Sequence, residues 1–195
     1  MKPVTRIFIF AAAAASLCAD SNEKRLSAPL SGYQEVLPVS TPAQGRFQAQ
    51  VNGQETSFSY ELEYSGLSAP VVMAHIHFAQ PAVNGSIVVW LCGTAAAPGP
   101  SGTPTCPASG KVSGTVTAAQ VGSTAQGILQ GELAELLAAM RAGATYVNIH
   151  TTAFPGGEIR GQINDRGNGD RGRGGDDDDD DDDDGNGKGK GKDRN

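Results

Sequence analysis

Positive charge is thin in this chain: fifteen Lys and Arg stand against twenty-one Asp and Glu among 195 residues. Outside the two ends the basic residues are scattered. Proteins that bind nucleic acid do so through clustered cations, so nucleic acid is excluded as a partner. Long apolar runs are also missing. The longest, from Ile7 to Leu17, falls well short of the roughly 20 residues a bilayer span requires. Cysteine is limited to Cys18, Cys92 and Cys106, too few and too far apart for a thiolate zinc motif. No serine or cysteine stands in a recognisable activated setting for nucleophilic catalysis. Aromatic residues make up 6%, with a single tryptophan, and there are only three histidines.

Both ends differ from the middle. Lys2 and Arg6 precede the apolar run, and small residues follow at Cys18 and Ala19. This layout predicts a secretory signal over residues 1–19, leaving no integral membrane segment after cleavage. Cys18 offers a second reading, a lipid anchor, but Leu17 directly before it is bulky where small residues are wanted. The expected location is periplasmic or extracellular. From Arg166 to Asn195 the chain carries no aliphatic or aromatic residue and contains the unbroken run Asp176–Asp184. Such a segment cannot offset its ordering entropy, which predicts a disordered, solvating tail over 166–195. Residues 24–165 remain for one folded domain. In an exported chain Cys92 and Cys106 are an even pair, which predicts a disulfide across a loop rich in Gly and Pro. Closing a loop of that size stabilises by about 3 kcal/mol.

Strand signals fill the middle. Leu26–Leu30, running into Gly32–Val36, reads as an edge strand because it contains Pro29. Phe47, Ala49 and Val51 alternate with Arg46, Gln48 and Gln50. Asn52-Gly53 then marks a hairpin, and Phe58, Tyr60, Leu62 and Tyr64 alternate with Ser57, Ser59, Glu61 and Glu63. Further strands are expected at 71–78, 87–91, 111–117, 145–150 and 158–163. About eight short strands separated by Gly, Pro and Asn predict an all-β Greek-key sandwich or barrel. One helical insertion carries Leu129, Leu133, Leu136, Leu137 and Met140 at helical spacing, ended by Gly143. Thr117 and Gln120 form a candidate capping box. Glu158 and Arg160 are expected to hold an ion pair to a neighbouring strand, and Asn84-Gly85-Ser86 is a formal glycosylation sequon.

The chemistry is concentrated in the histidines. His75 and His77 lie two apart on a strand, so both imidazoles project from one face, about 7 Å apart at Cα. Ala74, Ile76 and Phe78 take the core face. Val147 and Ile149 face the core on their own strand, which turns His150 outward beside Asn148 and Tyr146. All three histidines therefore occupy outer faces, and three imidazoles with an open fourth position suit a borderline metal. Met73 shares the face of His75, and its thioether favours copper. With no nearby cysteine or carboxylate, copper is the expected metal and zinc the second choice.

At these residues a family resemblance emerges. Gly32-Tyr33-Gln34-Glu35-Val36, Ala74-His75-Ile76-His77-Phe78 followed by Asn84-Gly85, and the block from Tyr146 to Ile163 together resemble the chordin-type (CHRD) domain, in order and over nearly the whole folded portion. The resemblance implies an extracellular β domain. In chordin the domain belongs to an antagonist of growth factors, a role not carried over to a domain standing alone. More loosely, a His-x-His strand, a later strand ending in histidine and a Gly-Gly strand are similar to the copper site of copper–zinc superoxide dismutase. That similarity implies copper ligation by His75, His77 and His150. It departs in lacking a bridging histidine and a zinc loop, and in placing Glu158 where an arginine would attract an anion. The expected function is that of an exported copper-binding domain, a non-catalytic reservoir, carrier or sensor. A copper-dependent redox enzyme and a cell-surface or matrix structural module are the alternatives.

Overall fold

A computed structural model describes residues 25–164. The signal expected over 1–19 and the tail expected over 166–195 lie outside the described residues.

The described chain is all-β. Its strands are β1 (Arg25–Ser31), β2 (Gln44–Val51), β3 (Ser57–Ser65), β4 (Val71–Phe78), β5 (Ser86–Cys92), β6 (Gly110–Thr117), β7 (Thr145–Thr151) and β8 (Ile159–Ile163), with one helix, α1 (Leu133–Arg141), between β6 and β7. They form one antiparallel sheet in the order β5-β4-β7-β8-β1-β2-β3-β6, curled into a nearly closed barrel. The outermost strands β5 and β6 meet at a seam. There the Tyr60 hydroxyl of β3 donates to the Leu91 carbonyl at 2.6 Å, and the Gly122 amide donates to the Val88 carbonyl at 2.9 Å. The Cys92–Cys106 disulfide is formed and ties the end of β5 to the segment entering β6.

The alternation read from the sequence holds on β2 and β3. Phe47, Ala49, Val51, Phe58, Tyr60, Leu62 and Tyr64 are buried, and most of their neighbours are solvent-facing. The hairpin between them has a longer loop than a two-residue turn. Asn52 Oδ1 accepts from the amides of Thr56 and Ser57, and Glu55 takes a positive φ. The Thr117–Gln120 capping box is present. α1 buries Leu133, Leu136, Leu137 and Met140 in the core, and Gly143 follows it at φ +68°. Leu129 lies before the helix and is exposed.

β1 departs from expectation. It is interior, paired along its length with β2 and flanked by β8, and Gly32–Gln34 is a 3-10 turn. Pro29 is tolerated because the ladder to β8 is interrupted there. Ser27 bonds Asn164 in both directions and Ser31 pairs with Arg160, but no β1–β8 pairing falls at Pro29 between them. A Cβ at Gly161 would come within 2.3 Å of the Pro29 carbonyl oxygen. An amide-free residue beside a glycine thus takes the place of a ladder bond.

The sheet is covered unequally. All seven residues of β7 are buried, and so are four of the five in β8. Both faces of this part of the sheet are therefore packed: one against the barrel interior, the other beneath the segments around 32–36, 79–85 and 152–158. Gln162 of β8 donates to the carbonyls of Ala79 and Gly143, fastening one of these segments. Leu137→Ala is expected to cost about 2–5 kcal/mol by removing a fully buried side chain, whereas Leu129→Ala is expected to cost under about 0.5 kcal/mol. Urea denaturation of both variants measures the difference and tests the assignment of α1 to the core.

Candidate metal centre

The site is built by two strand pairings. Along β4 and β7, Met73 stands opposite His150, His75 opposite Asn148 and His77 opposite Tyr146. On the far side of β7, Asn148 pairs with Arg160 of β8. Because alternate residues share a face, one surface collects Met73, His75, His77, Tyr146, Asn148, His150 and Arg160. The expectation that the histidines occupy the non-core face of their strands is met. Their surroundings are not those of an open polar face: His75 is fully buried, His77 is 8% exposed and His150 is 7% exposed. Covering segments, invisible to strand alternation, account for the difference.

The three imidazoles converge. One ring nitrogen from each lies within 4.8 Å of the other two. Metal–nitrogen bonds of about 2 Å put donor atoms roughly 3.3–4 Å apart, so small inward rotations of the rings close the set. His77 Nδ1 contacts the Gly85 carbonyl at 3.0 Å and His150 Nδ1 contacts the Pro155 carbonyl at 2.9 Å. A carbonyl oxygen can only accept, so both Nδ1 atoms carry the proton and each Nε2 presents a lone pair. Those two Nε2 atoms, and both ring nitrogens of His75, are buried without a hydrogen-bond partner. Buried polar atoms are rarely left so. Three converging ring nitrogens without hydrogen-bond partners fit a cation with imidazole affinity.

Electrostatics keep the rings neutral. Burial, and then the like charges of His150 and His77, push His75 down to about 3. Burial brings His77 to about 4, against the opposing pull of the Gly85 carbonyl, with His150 and Arg160 adding to the drop. His150 is lowered by burial, partly offset by the Pro155 carbonyl. The lone pairs are therefore free at neutral and mildly acidic pH.

The packing around the rings is aromatic and tight. Trp90 of β5 meets His75 edge-on at 4.1 Å between ring centres. His77 stacks on Tyr146 at 4.7 Å with an interplanar angle of 2°, and the Arg160 guanidinium lies 3.4 Å over the other side of that tyrosine. Arg160 also donates to Asn84 Oδ1 and to the carbonyls of Gln80 and Val83, holding the 79–85 segment over the histidines. Sequence reasoning read Asn84-Gly85 as a sequon and missed this role. The expected ion pair at Glu158 is replaced by hydrogen bonds from Thr41, Thr151 and the Ser68 amide, each at 2.8 Å. Burial alone would raise this carboxyl, but those donors hold it below its usual range. Glu35, also unforeseen, is buried and accepts from Asn148 Nδ2 at 2.7 Å. Burial raises Glu35 to about 7 despite that bond and the nearby Arg160.

Residues 26–163 match the profile of the CHRD domain. The chain belongs to the CHRD family. Among curated proteins and among solved structures there is no match. The CHRD match ends within one residue of each limit of the described β domain and takes in all three histidines, the disulfide and every covering segment. No helix among the described residues is long and apolar enough to cross a membrane.

The acid response of the metal-free CHRD domain follows from these groups. Unfolded, each imidazole returns to its ordinary value of 6.5. Below that value the unfolded chain binds protons that the folded chain refuses, so stability falls as pH drops toward the folded values. Glu35 acts oppositely, since its folded value near 7 lies above the ordinary 4.5 and its contribution is lost as pH rises between them. Three imidazoles outweigh one carboxyl. The Tm of metal-free protein is expected to fall by on the order of 5–10 °C from pH 7 to pH 4.5. Circular dichroism melts check this, and a Tm that rises on acidification contradicts the neutral-imidazole assignment.

Proposed function

We propose that this CHRD domain is an exported copper-binding module that holds one copper ion through His75, His77 and His150 as a reservoir, carrier or sensor. The observation that carries the reading is the convergence of three buried imidazole nitrogens, all within 4.8 Å and lacking hydrogen-bond partners. Copper is favoured over zinc by the donor set. Imidazole is the only nitrogen donor type, no carboxylate or thiolate belongs to the cluster, and Met73, which carries a thioether, is paired with His150 across the ladder. Copper lies above zinc in the affinity order for such donors, and a thioether strengthens the preference for Cu(I). A disulfide in the fold accords with an oxidising compartment outside the cytoplasm.

Burial favours holding a metal over turning over a substrate. A redox catalyst needs its metal reachable, and here none of the three ligands exceeds 8% exposure. Arg160, the cation on the same face, is occupied by Tyr146 and three oxygen acceptors.

Titration of purified protein with copper(I) in the presence of a chromophoric chelator, followed by metal analysis, is expected to give one equivalent per chain. His75→Ala or His150→Ala is expected to weaken uptake by at least about 100-fold, since two imidazoles remain. Unchanged affinity in both variants would falsify the assignment. Because His75 and His77 are already deprotonated well below neutrality, affinity is expected to stay nearly level from pH 7 to about 5 and to drop below about 4. Solvent-exposed histidines would lose affinity from about pH 6.5 downward, and the same titration repeated across pH separates the two.

A further inference from the structure

Two of the three candidate ligands have their second ring nitrogen held by a backbone carbonyl: His77 by Gly85 and His150 by Pro155. His75 has no such partner. It is fully buried and neither ring nitrogen is hydrogen-bonded, so in either neutral tautomer one N–H is unsatisfied. Directly opposite His75 in the β4–β7 ladder stands Asn148, whose Oδ1 is itself buried without a partner. An unpaired donor and an unpaired acceptor thus lie on directly paired residues of one sheet surface.

The orientation of that acceptor is set from behind. Asn148 Nδ2 donates to Glu35 Oε1 at 2.7 Å. That bond turns the nitrogen end of the amide toward Glu35 and leaves Oδ1 free. Gly157 closes the arrangement at φ +128°, where a Cβ would lie 2.6 Å from Asn148 Nδ2 and 2.7 Å from both Asn148 Oδ1 and Glu35 Oε1. A side chain there would force the amide out of position.

We infer that Asn148, held by Glu35, is the positioning residue for His75: when one nitrogen of His75 binds the metal, the other donates its proton to Asn148 Oδ1. This rests on the copper-site reading above and adds the partner that two ligands find in the backbone and the third finds in a side chain. Such outer partners fix the tautomer and raise the basicity of a ligating imidazole, and losing one typically costs 10–100-fold in metal affinity. Glu35 then holds the amide from behind, through the bond to Asn148 Nδ2. That gives a physical purpose to a carboxyl buried at 8% exposure with no salt-bridge partner within 4 Å among the described residues.

The test uses the full chain and copper(I) as the probe. Asn148→Leu, similar in volume but without an acceptor, is expected to weaken copper(I) binding by about 10–100-fold and, because Glu35 loses its donor, to lower the metal-free Tm. The double variant Asn148→Asp/Glu35→Gln reverses the bond between those two side chains but keeps an oxygen toward His75, and is expected to regain most of the affinity. In wild-type protein labelled with ¹⁵N at histidine, a slowly exchanging ring N–H of His75 is expected to appear on copper(I) loading and to be missing from Asn148→Leu. Wild-type affinity in Asn148→Leu, or the absence of that N–H from loaded wild type, overturns the inference and leaves the metal site standing. Failure of wild-type protein to take up copper removes both.

Discussion

The antiparallel ladder between β4 and β7 is the interaction on which the site depends. It sets Met73 against His150, His75 against Asn148 and His77 against Tyr146. Side chains alternate with a period of two, so a slip of one residue would send the histidines into the barrel and Ile76 and Ile149 out of it. Ala74, Ile76, Val147 and Ile149, all fully buried, hold the register by filling the core. The same apolar residues that fold the barrel therefore align the imidazoles, and the histidine cluster needs no scaffold of its own.

The site stands at odds with stability in the metal-free protein. An unsatisfied buried polar group costs about 1–3 kcal/mol, and the histidines together leave four ring nitrogens in that condition. A domain selected for stability alone would replace them with apolar side chains. Such conflicts concentrate where function requires them. The surrounding fold absorbs the cost through a continuous core, a disulfide-closed seam and a helix that buries four side chains.

Enclosure comes from connections rather than strands. The 79–85 segment is held by Arg160 through Gln80, Val83 and Asn84, and it returns the Gly85 carbonyl to His77. The 152–158 segment supplies the Pro155 carbonyl to His150 and places Gly157 against the Asn148–Glu35 pair. These two segments thus both cover the cluster and orient a histidine. Arg160 lies fully inside and neutralises no neighbouring carboxylate by direct contact, so its part here is architectural: it clamps a loop through oxygen acceptors and an aromatic face.

Much of this was legible in the order of residues. Alternation placed His75, His77 and His150 on the non-core faces, and punctuation by Gly, Pro and Asn counted the strands. The Cys92–Cys106 pairing, the capping box at Thr117 and the core stripe of α1 followed from composition and spacing, because each depends on neighbours close in the chain or on simple counting. Pro29 misled: proline forbids one hydrogen bond, and only the path of β8, with Gly161 beside it, shows that none was needed. The burial of the histidines, the clamp by Arg160 and the pairing of Asn148 with Glu35 were decided by tertiary structure alone. They join residues far apart in sequence, and no local periodicity encodes which loop will fold over which face.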